Sequence, residues 1–408
     1  MRIEQGVILC GGLGSRLGSL TAETPKPLLP IDGTPFLQIL MREITRYGVR
    51  RFLLLAAYRS EQIENFARSV VEALGGDVEV QVVIEPDRAG TGGALYNARP
   101  MLDDAFFLFN GDTLLDTPLD RLAALLDDPE AIGAMALRRL EQAGRYGVTV
   151  LEGDAITAFG VPPLDDGPVY INGGVAAFRK TMVDGLRPTG SMEADLLPDL
   201  AVQGRLRGLP VNGFFLDIGV PEDFASAQTS VPAFVRRPAL FLDRDGVINL
   251  DKGHVGSVDR FEWVKGAREA IKAANALDYY VFVVTNQAGI AKGYYTEADY
   301  QTVMDHIGQG LAEIGGRIDD VRFCPYHPDA VVTDYRAVSD WRKPAPGMLL
   351  DLLKSWPVDR TRSLLIGDNQ TDIQAADAAG VKGELFIGGR LDEFLVPLLT
   401  PADRKEAI

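Results

Sequence analysis

Short apolar, β-branched runs alternate with amphipathic stretches along the chain. The pattern predicts strands over Gly6–Cys10, Phe52–Ala56 and Val78–Ile84, with helices near Phe36–Tyr47 and Glu61–Ala73 between them. Strand and helix taking turns predict an α/β fold, a mostly parallel sheet flanked by helices, with ligands at the carboxyl ends of the strands. Near residue 230 the chain reads TSVPAFVRRP, and then the alternation restarts. Strands are predicted over Ala239–Asp243, Tyr280–Thr285 and Ser363–Gly367, with helices near Ala267–Leu277 and Glu297–Glu313. The boundary falls within 230–238, so two doubly wound domains are expected, 1–232 and 233–408. No internal repeat or low-complexity tract interrupts either one.

At 408 residues the chain is too long for one ordinary core, and 46% hydrophobic residues leave ample apolar surface to bury. The net charge of -16, from 57 acids against 41 bases, argues against a nucleic-acid partner. An anionic substrate must then be held by local cations, helix N-termini or metal ions. Cys10 and Cys324 lie too far apart in sequence to form a disulfide framework, which suits a reducing compartment. The N-terminal MRIEQGVILCGG is too short an apolar run for a secretory signal, and no stretch approaches membrane-spanning length. A soluble, cytoplasmic protein without a membrane partner is expected.

The chemistry begins with CGGLGSRLGSLTAETPKPLLP, Cys10 to Pro30, directly after the first strand. Glycines Gly11, Gly12, Gly14 and Gly18 admit three readings: a turn needing positive φ, a dinucleotide fingerprint, or a cradle for a triphosphate. Arg16 inside the loop and Lys26 between two prolines favour the third, because two cations on a stiff loop can offset charge at a phosphorus under attack. The arrangement resembles the sugar-1-phosphate nucleotidyltransferases, whose signature is GGxGxRL followed by PKPxLP, and the resemblance extends over essentially residues 1–230. Further matches follow in order: Gly90-Thr91-Gly92-Gly93-Ala94, Asn110-Gly111-Asp112, Ile171-Asn172-Gly173-Gly174, Ser191-Met192-Glu193, and Phe215-Leu216-Asp217-Ile218-Gly219 before Pro221-Glu222-Asp223.

This resemblance implies a Rossmann-like domain in which Gly11, Gly12, Gly14, Gly90, Thr91 and Gly92 contact a nucleoside triphosphate. Asn172, Gly174 and Glu193 would meet the sugar, and Asp112 and Asp217 would hold Mg²⁺, an ion that hard oxygen ligands suit. Arg16 would stabilise the departing pyrophosphate and Lys26 the reacting phosphates. One departure stands out. Many members carry a Glu-Lys pair after a phenylalanine midway through the domain, whereas Ile156–Pro163 here reads ITAFGVPP. Arg145 and Arg179 are the candidate substitutes for that lysine.

In the second half, FLDRDGVIN puts Asp243 and Asp245 two residues apart after a buried strand. Asp and Gly favour turns in any fold, but VVTNQAG, RKPAPG and LIGDNQTD follow in order, carrying Thr285, Lys343 and Asp368. The four segments resemble the motifs of the haloacid-dehalogenase phosphatase superfamily. That implies Asp243 as the nucleophile of an aspartyl-phosphate and Asp245 as general acid and base. Thr285 and Lys343 would hold phosphoryl oxygens. Asp243, Asp368 and the backbone carbonyl of Asp245 would hold Mg²⁺. Asp372 would orient Lys343 or cap the following helix.

TNQAGIAKGYY, CPYHP and DWRKPAPGM resemble the heptose 1,7-bisphosphate phosphatases and their histidinol-phosphate phosphatase relatives. Those usually carry a structural zinc, but the equivalent positions here are Cys324, Tyr326, Ser339 and Trp341. One Cys with His327 nearby cannot supply four ligands, so no structural zinc is expected, with the loop packed around Tyr326 and Trp341. With no large insertion between the first two motifs, little or no cap is expected, and Asn286 and Arg342 would reach the sugar end of the substrate. His254 and His306 are expected as ordinary surface or capping groups.

A phosphatase that strips one phosphate from a sugar bisphosphate leaves a sugar 1-phosphate, which a nucleotidyltransferase consumes. The pairing resembles the last two steps of nucleotide-activated heptose synthesis. GTGGAL and NGDTLLD are similar to the heptose- and mannose-1-phosphate guanylyltransferases, which implies GTP, with adenylyl or cytidylyl transfer still open. Three alternatives remain: mannose 1-phosphate or another sugar for the transferase, histidinol phosphate for the phosphatase, or one half serving as a non-catalytic module.

Overall fold

The structure is a computed structural model that describes residues 3–74, 78–85, 89–142, 146–163 and 167–399. Arg145 lies outside the described residues. The chain divides into two compact units, 1–234 and 235–408. No helix among the described residues is long and apolar enough to cross a membrane.

The first unit is built on a nine-stranded sheet. Its first four strands, in spatial order, are Glu79–Ile84, Arg51–Ala56, Gln5–Leu9 and Ala105–Asn110, all parallel. Val7, Ile8 and Leu53 to Leu55 are buried, as strands covered on both faces require. Helix Phe36–Thr45 buries Phe36, Leu37, Leu40, Met41 and Ile44, one stripe of a 3.6-residue period. The strand order reverses at Gln5–Leu9, so a crevice opens at the carboxyl ends of this strand and of Ala105–Asn110. Strand Val169–Arg179 runs antiparallel beside Ala105–Asn110, with Val175 opposite Phe109, and so carries Asn172 and Gly174 to the same end of the sheet. A separate two-stranded ribbon pairs Thr113–Leu115 with Phe215–Asp217.

The second unit is a five-stranded parallel sheet ordered Asp320–Cys324, Tyr280–Asn286, Ala239–Leu242, Leu364–Gly367, Lys382–Leu385. Strand Ala239–Leu242 is wholly buried. Leu240 and Leu242 enter one apolar cluster, Ala239 and Phe241 the other, the period-2 alternation of a strand with helices on both faces. Strand order reverses between Ala239–Leu242 and Leu364–Gly367, and the residues immediately following them are Asp243 and Asp368. Between Leu242 and Tyr280 the chain forms a loop with a short 3-10 turn, Val258–Arg260, and one α-helix, Ala267–Ala276, with no separate cap domain.

Candidate active sites

In the first unit, Gly11, Gly12 and Gly14 lie in the loop between strand Gln5–Leu9 and the 3-10 segment Ser15–Thr21. The Thr21 hydroxyl donates to the Gly14 carbonyl at 3.0 Å and holds the loop closed. The two-stranded ribbon sets Asp217 opposite Thr113, the neighbour of Asp112, and the Ile218 N–H donates to the Asp112 carbonyl at 3.0 Å. Two carboxylates far apart in sequence thereby converge. Lys26, only 6% exposed, sits between them, its Nζ 2.5 Å from Asp112 Oδ2 and 3.5 Å from Asp217 Oδ1.

A Cβ placed on Gly219 would come 2.8 Å from Asp217 Oδ1 and 3.3 Å from an Arg16 guanidinium nitrogen. Arg16 and Asp217 therefore both lie beside Gly219. Beneath the loop, Cys10 is fully buried, and burial, then the charge of Asp112, pushes its thiol pKa up, so it is no nucleophile.

The segments Gly90–Gly92 and Ser191–Glu193 are latched together. The Thr91 hydroxyl donates to Glu193 Oε2 at 2.5 Å and accepts from the Met192 N–H at 2.9 Å, while the Gly92 N–H donates to the Gly190 carbonyl at 3.0 Å. The Gly174 N–H donates to Asn172 Oδ1 at 3.0 Å. Arg179 is corrected: it lies opposite Ala105, at the other end of the strand from Asp112, and its guanidinium donates to the carbonyls of Ala131 and Leu126. It cannot stand in for the missing lysine. Sequence reasoning also missed Tyr146, whose hydroxyl donates to Asp217 Oδ2 at 3.4 Å, and Glu85, which follows strand Glu79–Ile84 and accepts from the Ala89 N–H at 3.2 Å. Half-buried, Glu85 has its pKa raised by desolvation. A carboxylate at a strand end was the one available signal for it.

In the second unit, Asp243 accepts from the Arg244 N–H at 2.7 Å and pairs with Lys343 Nζ at 3.0 Å. Lys343 also reaches Asp372 at 2.6 Å and donates to the Val284 carbonyl at 2.8 Å. Burial works against the lysine's charge, yet Asp243 and Asp372 hold its pKa above the ordinary value. Burial, with Asp372 and Asp245 adding, pushes Asp243 up to about 7 in spite of Lys343. Asp368 is raised too, by burial and by Asp372. Asp372 fills both roles foreseen for it, since its carboxylate also accepts from the Asn369 N–H at the start of helix Gln370–Ala379.

Asp245 is held by the Arg244 guanidinium, Asn249 Nδ2 at 2.9 Å and Gln287 Nε2 at 3.1 Å. Gln287 also donates to Thr285 Oγ1 at 2.8 Å and accepts from the Tyr295 hydroxyl at 2.6 Å. This buried glutamine fixes both the carboxylate and the hydroxyl of the site, a role not assigned from sequence although it lies inside TNQAG. Asn286 exchanges two hydrogen bonds with the backbone of Lys343, at 3.0 and 3.1 Å, and so positions the lysine, while Arg342 reaches the Tyr326 carbonyl at 3.4 Å. Gly246 takes φ +86°, and a Cβ there would stand 2.0 Å from Asp368 Oδ2, so only glycine lets the loop pass this carboxylate.

Oxygens of Asp243, Asp368 and Asp372 lie within 4.8 Å of one another, and carboxylates so gathered offer the hard oxygen donors that Mg²⁺ takes. Asp112 and Asp217 offer the same donor chemistry in the first unit. At the loop equivalent to a zinc site, the Tyr326 ring meets Tyr335 at 6.0 Å, and Trp341 packs on the cluster that contains the buried Cys324. His254 is more than an ordinary surface group: its Nε2 lies 3.3 Å from Lys292 Nζ. His306 stacks edge-on against Phe261.

Residues 5–233 match the nucleotidyl transferase family model, and residues 340–393 match the HAD-hydrolase-like model. A D-glycero-beta-D-manno-heptose-1,7-bisphosphate 7-phosphatase of Rhodopseudomonas palustris is 48% identical over 169 residues, 41% of this chain and 94% of that protein. The chain belongs to the nucleotidyl transferases through its first half and to the HAD-like phosphatases through its second. A counterpart from Escherichia coli K12 is 41% identical over 150 residues, 37% of this chain and 78% of that protein. The first half is similar to the crystal structure of HddC from Yersinia pseudotuberculosis complexed with GMP-PN, at 29% identity and a TM-score of 0.50, over 56% of this chain and all of that one. The chain is thus an enzyme that joins a nucleotidyltransferase to a phosphatase.

Proposed function

We propose that the second half removes the C7 phosphate of D-glycero-D-manno-heptose 1,7-bisphosphate and that the first half transfers GMP from GTP to the resulting heptose 1-phosphate, releasing pyrophosphate. The observation that carries the reading is the union on one chain of a half similar to heptose bisphosphate 7-phosphatases with a half similar to HddC in complex with GMP-PN. One removes a phosphate that the other does not need.

In the phosphatase, a carboxylate oxygen of Asp243 attacks phosphorus and the bond to the sugar oxygen breaks, forming an aspartyl-phosphate. Asp245 gives its proton to the leaving oxygen and then takes one from the water that hydrolyses the intermediate. Lys343 and Thr285 hold phosphoryl oxygens, and Asn286, bonded to the Lys343 backbone, keeps the lysine in place. In the transferase, an oxygen of the sugar 1-phosphate attacks the α-phosphorus and pyrophosphate leaves in line. Arg16 and Lys26 offset charge on the phosphates, and Asn172, Gly174 and Glu193 orient the sugar. Mg²⁺, held by Asp243, Asp368 and the Asp245 carbonyl in one site and by Asp112 and Asp217 in the other, supplies charge neutralisation at phosphate oxygens when bound.

The test supplies the heptose bisphosphate, GTP and Mg²⁺ and follows phosphate and pyrophosphate separately. Asp243→Asn should stop phosphate release only. Asp112→Ala should stop pyrophosphate release even when heptose 1-phosphate is supplied. Release of neither product by the wild type would overturn the reading. Hydrolysis of histidinol phosphate far faster than the bisphosphate would overturn the heptose assignment, and pyrophosphate from ATP or CTP but not GTP the guanylyl one.

A further inference from the structure

The loop after strand Ala239–Leu242 buries two polar side chains completely, Arg244 and Asn249, each 0% exposed. The loop closes on itself: the Ile248 and Asn249 N–H groups donate to the Arg244 carbonyl at 2.8 and 3.0 Å, and the Gly246 N–H donates to the Asn249 carbonyl at 2.7 Å. Arg244 and Asn249 are thereby held together, and both turn to Asp245. Arg244 Nη2 donates to the two carboxylate oxygens of Asp245, at 3.0 and 2.8 Å, and to the Val255 carbonyl at 2.6 Å. Asn249 Nδ2 donates to Asp245 Oδ1 at 2.9 Å and to the Leu250 carbonyl at 3.0 Å. With Gln287 on Oδ2 at 3.1 Å, donors from three side chains close on one carboxylate.

This frame destabilises the fold elsewhere. Arg244 Nε and Nη1 and Asn249 Oδ1 are buried without a hydrogen-bond partner among the described residues, and the guanidinium lies over the Tyr300 ring, 5.5 Å from its centroid. A buried polar atom left unpaired costs free energy, and a buried arginine–carboxylate pair is often no more stabilising than apolar packing of the same volume. Stability alone would favour methionine or leucine at these two positions. What both polar side chains share is Asp245.

We infer that Arg244 and Asn249 are positioning residues that aim the Asp245 carboxyl group at the leaving sugar oxygen. The inference rests on the phosphatase reading proposed above and adds to it what orients the proton donor. The last torsion of an aspartate side chain is broad, so an unframed carboxyl group would present its proton in many directions. In the first step a bond forms between an Asp243 oxygen and phosphorus, the bond from phosphorus to the sugar oxygen breaks, and the proton of Asp245 passes to that oxygen. Aim matters when the leaving group is an alkoxide, and it matters little when the leaving group is stable as an anion.

The test sets the heptose 1,7-bisphosphate, whose departing alkoxide needs a proton, against p-nitrophenyl phosphate, whose phenolate does not. The quantity compared is kcat/KM, which reports the steps up to departure of the first product and leaves out hydrolysis of the aspartyl-phosphate, where Asp245 serves both substrates alike. Arg244→Met and Asn249→Leu should each lose about ten- to a hundredfold on the bisphosphate and stay within about threefold of wild type on p-nitrophenyl phosphate. Retained activity on the aryl phosphate shows that the site is folded, which a merely structural role would not spare. Asn249→Leu changes no charge and decides the matter alone if Arg244→Met does not fold. Equal losses on both substrates, or an undiminished rate on the bisphosphate, would overturn the assignment. A wild type that hydrolyses neither substrate overturns the phosphatase reading itself, an outcome separate from those two.

Discussion

Replacing Lys343 by methionine keeps most of the side chain's length and removes its charge. Lys343 is 3% exposed and stands between Asp243 and Asp372, and Asp372 is itself 1% exposed. Removing one partner of a buried pair costs about 3–5 kcal/mol, because the charge left behind has no water to turn to. With Asp243 already raised to about 7 beside the lysine, the escape open to the protein is for a second carboxylate to take up a proton. For a carboxyl group that ordinarily titrates near 4, that costs about 4 kcal/mol at pH 7 and about 1.5 kcal/mol at pH 5. The two routes agree at neutral pH and differ in acid, which makes pH the diagnostic variable.

The variant's folded state binds a proton that its unfolded state releases above pH 4, so its stability falls as pH rises, and the deficit against wild type should be largest at neutral pH. All three tryptophans, Trp263, Trp341 and Trp356, belong to the second unit, so their fluorescence reports its unfolding alone. At roughly 2–4 °C per kcal/mol for a domain of this size, the tryptophan melt in EDTA should move down by about 10 °C at pH 7 and by only a few degrees at pH 5. Phosphatase kcat/KM should fall about a hundredfold or more, while the transferase rate is unchanged. A melt within 2 °C of wild type at pH 7, or the same deficit at both pH values, would refute the assignment of Lys343 as counter-ion to this cluster.

Two further outcomes follow from the same geometry. Asp243, raised to about 7 by burial, contributes stability that is present below the ordinary carboxylate range and is lost as pH rises towards 7. Asp243→Asn should therefore gain on wild type in metal-free urea melts between pH 4 and pH 8, with no change in the gap disproving the shift. Gly219→Ala would press a methyl group to 2.8 Å from Asp217 Oδ1, and the displaced carboxylate should lower transferase kcat at least tenfold with phosphatase activity intact. A transferase rate within twofold of wild type would show that this contact is relieved without cost.

The strands and helices could be read from hydrophobic period because each half buries its central strands on both faces. Ala239–Leu242 and Gln5–Leu9 are continuous apolar runs, and the residues after them are chemical. Side-chain direction could not be read. Arg179 was a candidate for the sugar-phosphate cation because it is basic and nearby in sequence, but antiparallel register sets it opposite Ala105, a full strand length from Asp112. Tyr146 and Glu85 were passed over because what brings them in is chain packing rather than spacing. Gln287 lay inside a segment already singled out, yet an amide carries no charge to flag it, and its importance shows only in its four partners' geometry: Asp245, Thr285, Tyr295 and the backbone of Cys324.

The pairing of lysine with carboxylate is the feature both halves share, and the sequence pointed to it only for Lys343 with Asp372. Lys26 stands 2.5 and 3.5 Å from Asp112 and Asp217, and Lys343 stands 3.0 and 2.6 Å from Asp243 and Asp372. The partners of Lys26 are separated from it by at least 86 residues, and those of Lys343 lie one just after strand Ala239–Leu242 and one on helix Gln370–Ala379, so only the folded chain unites them. The physical cause is the same in each. A site that must gather hard oxygen donors and then admit a phosphate has to hold like charges together in the ligand-free protein, where mutual repulsion and desolvation would otherwise protonate or separate them. A buried ammonium beside two carboxylates offsets that repulsion without occupying the crevice. Because an ammonium attracts phosphoryl oxygens as readily as carboxylates, under the proposed function the same lysine would also meet the substrate. On that proposal an acidic chain would bind phosphates through positive charge kept local, one buried lysine beside each pair of acids.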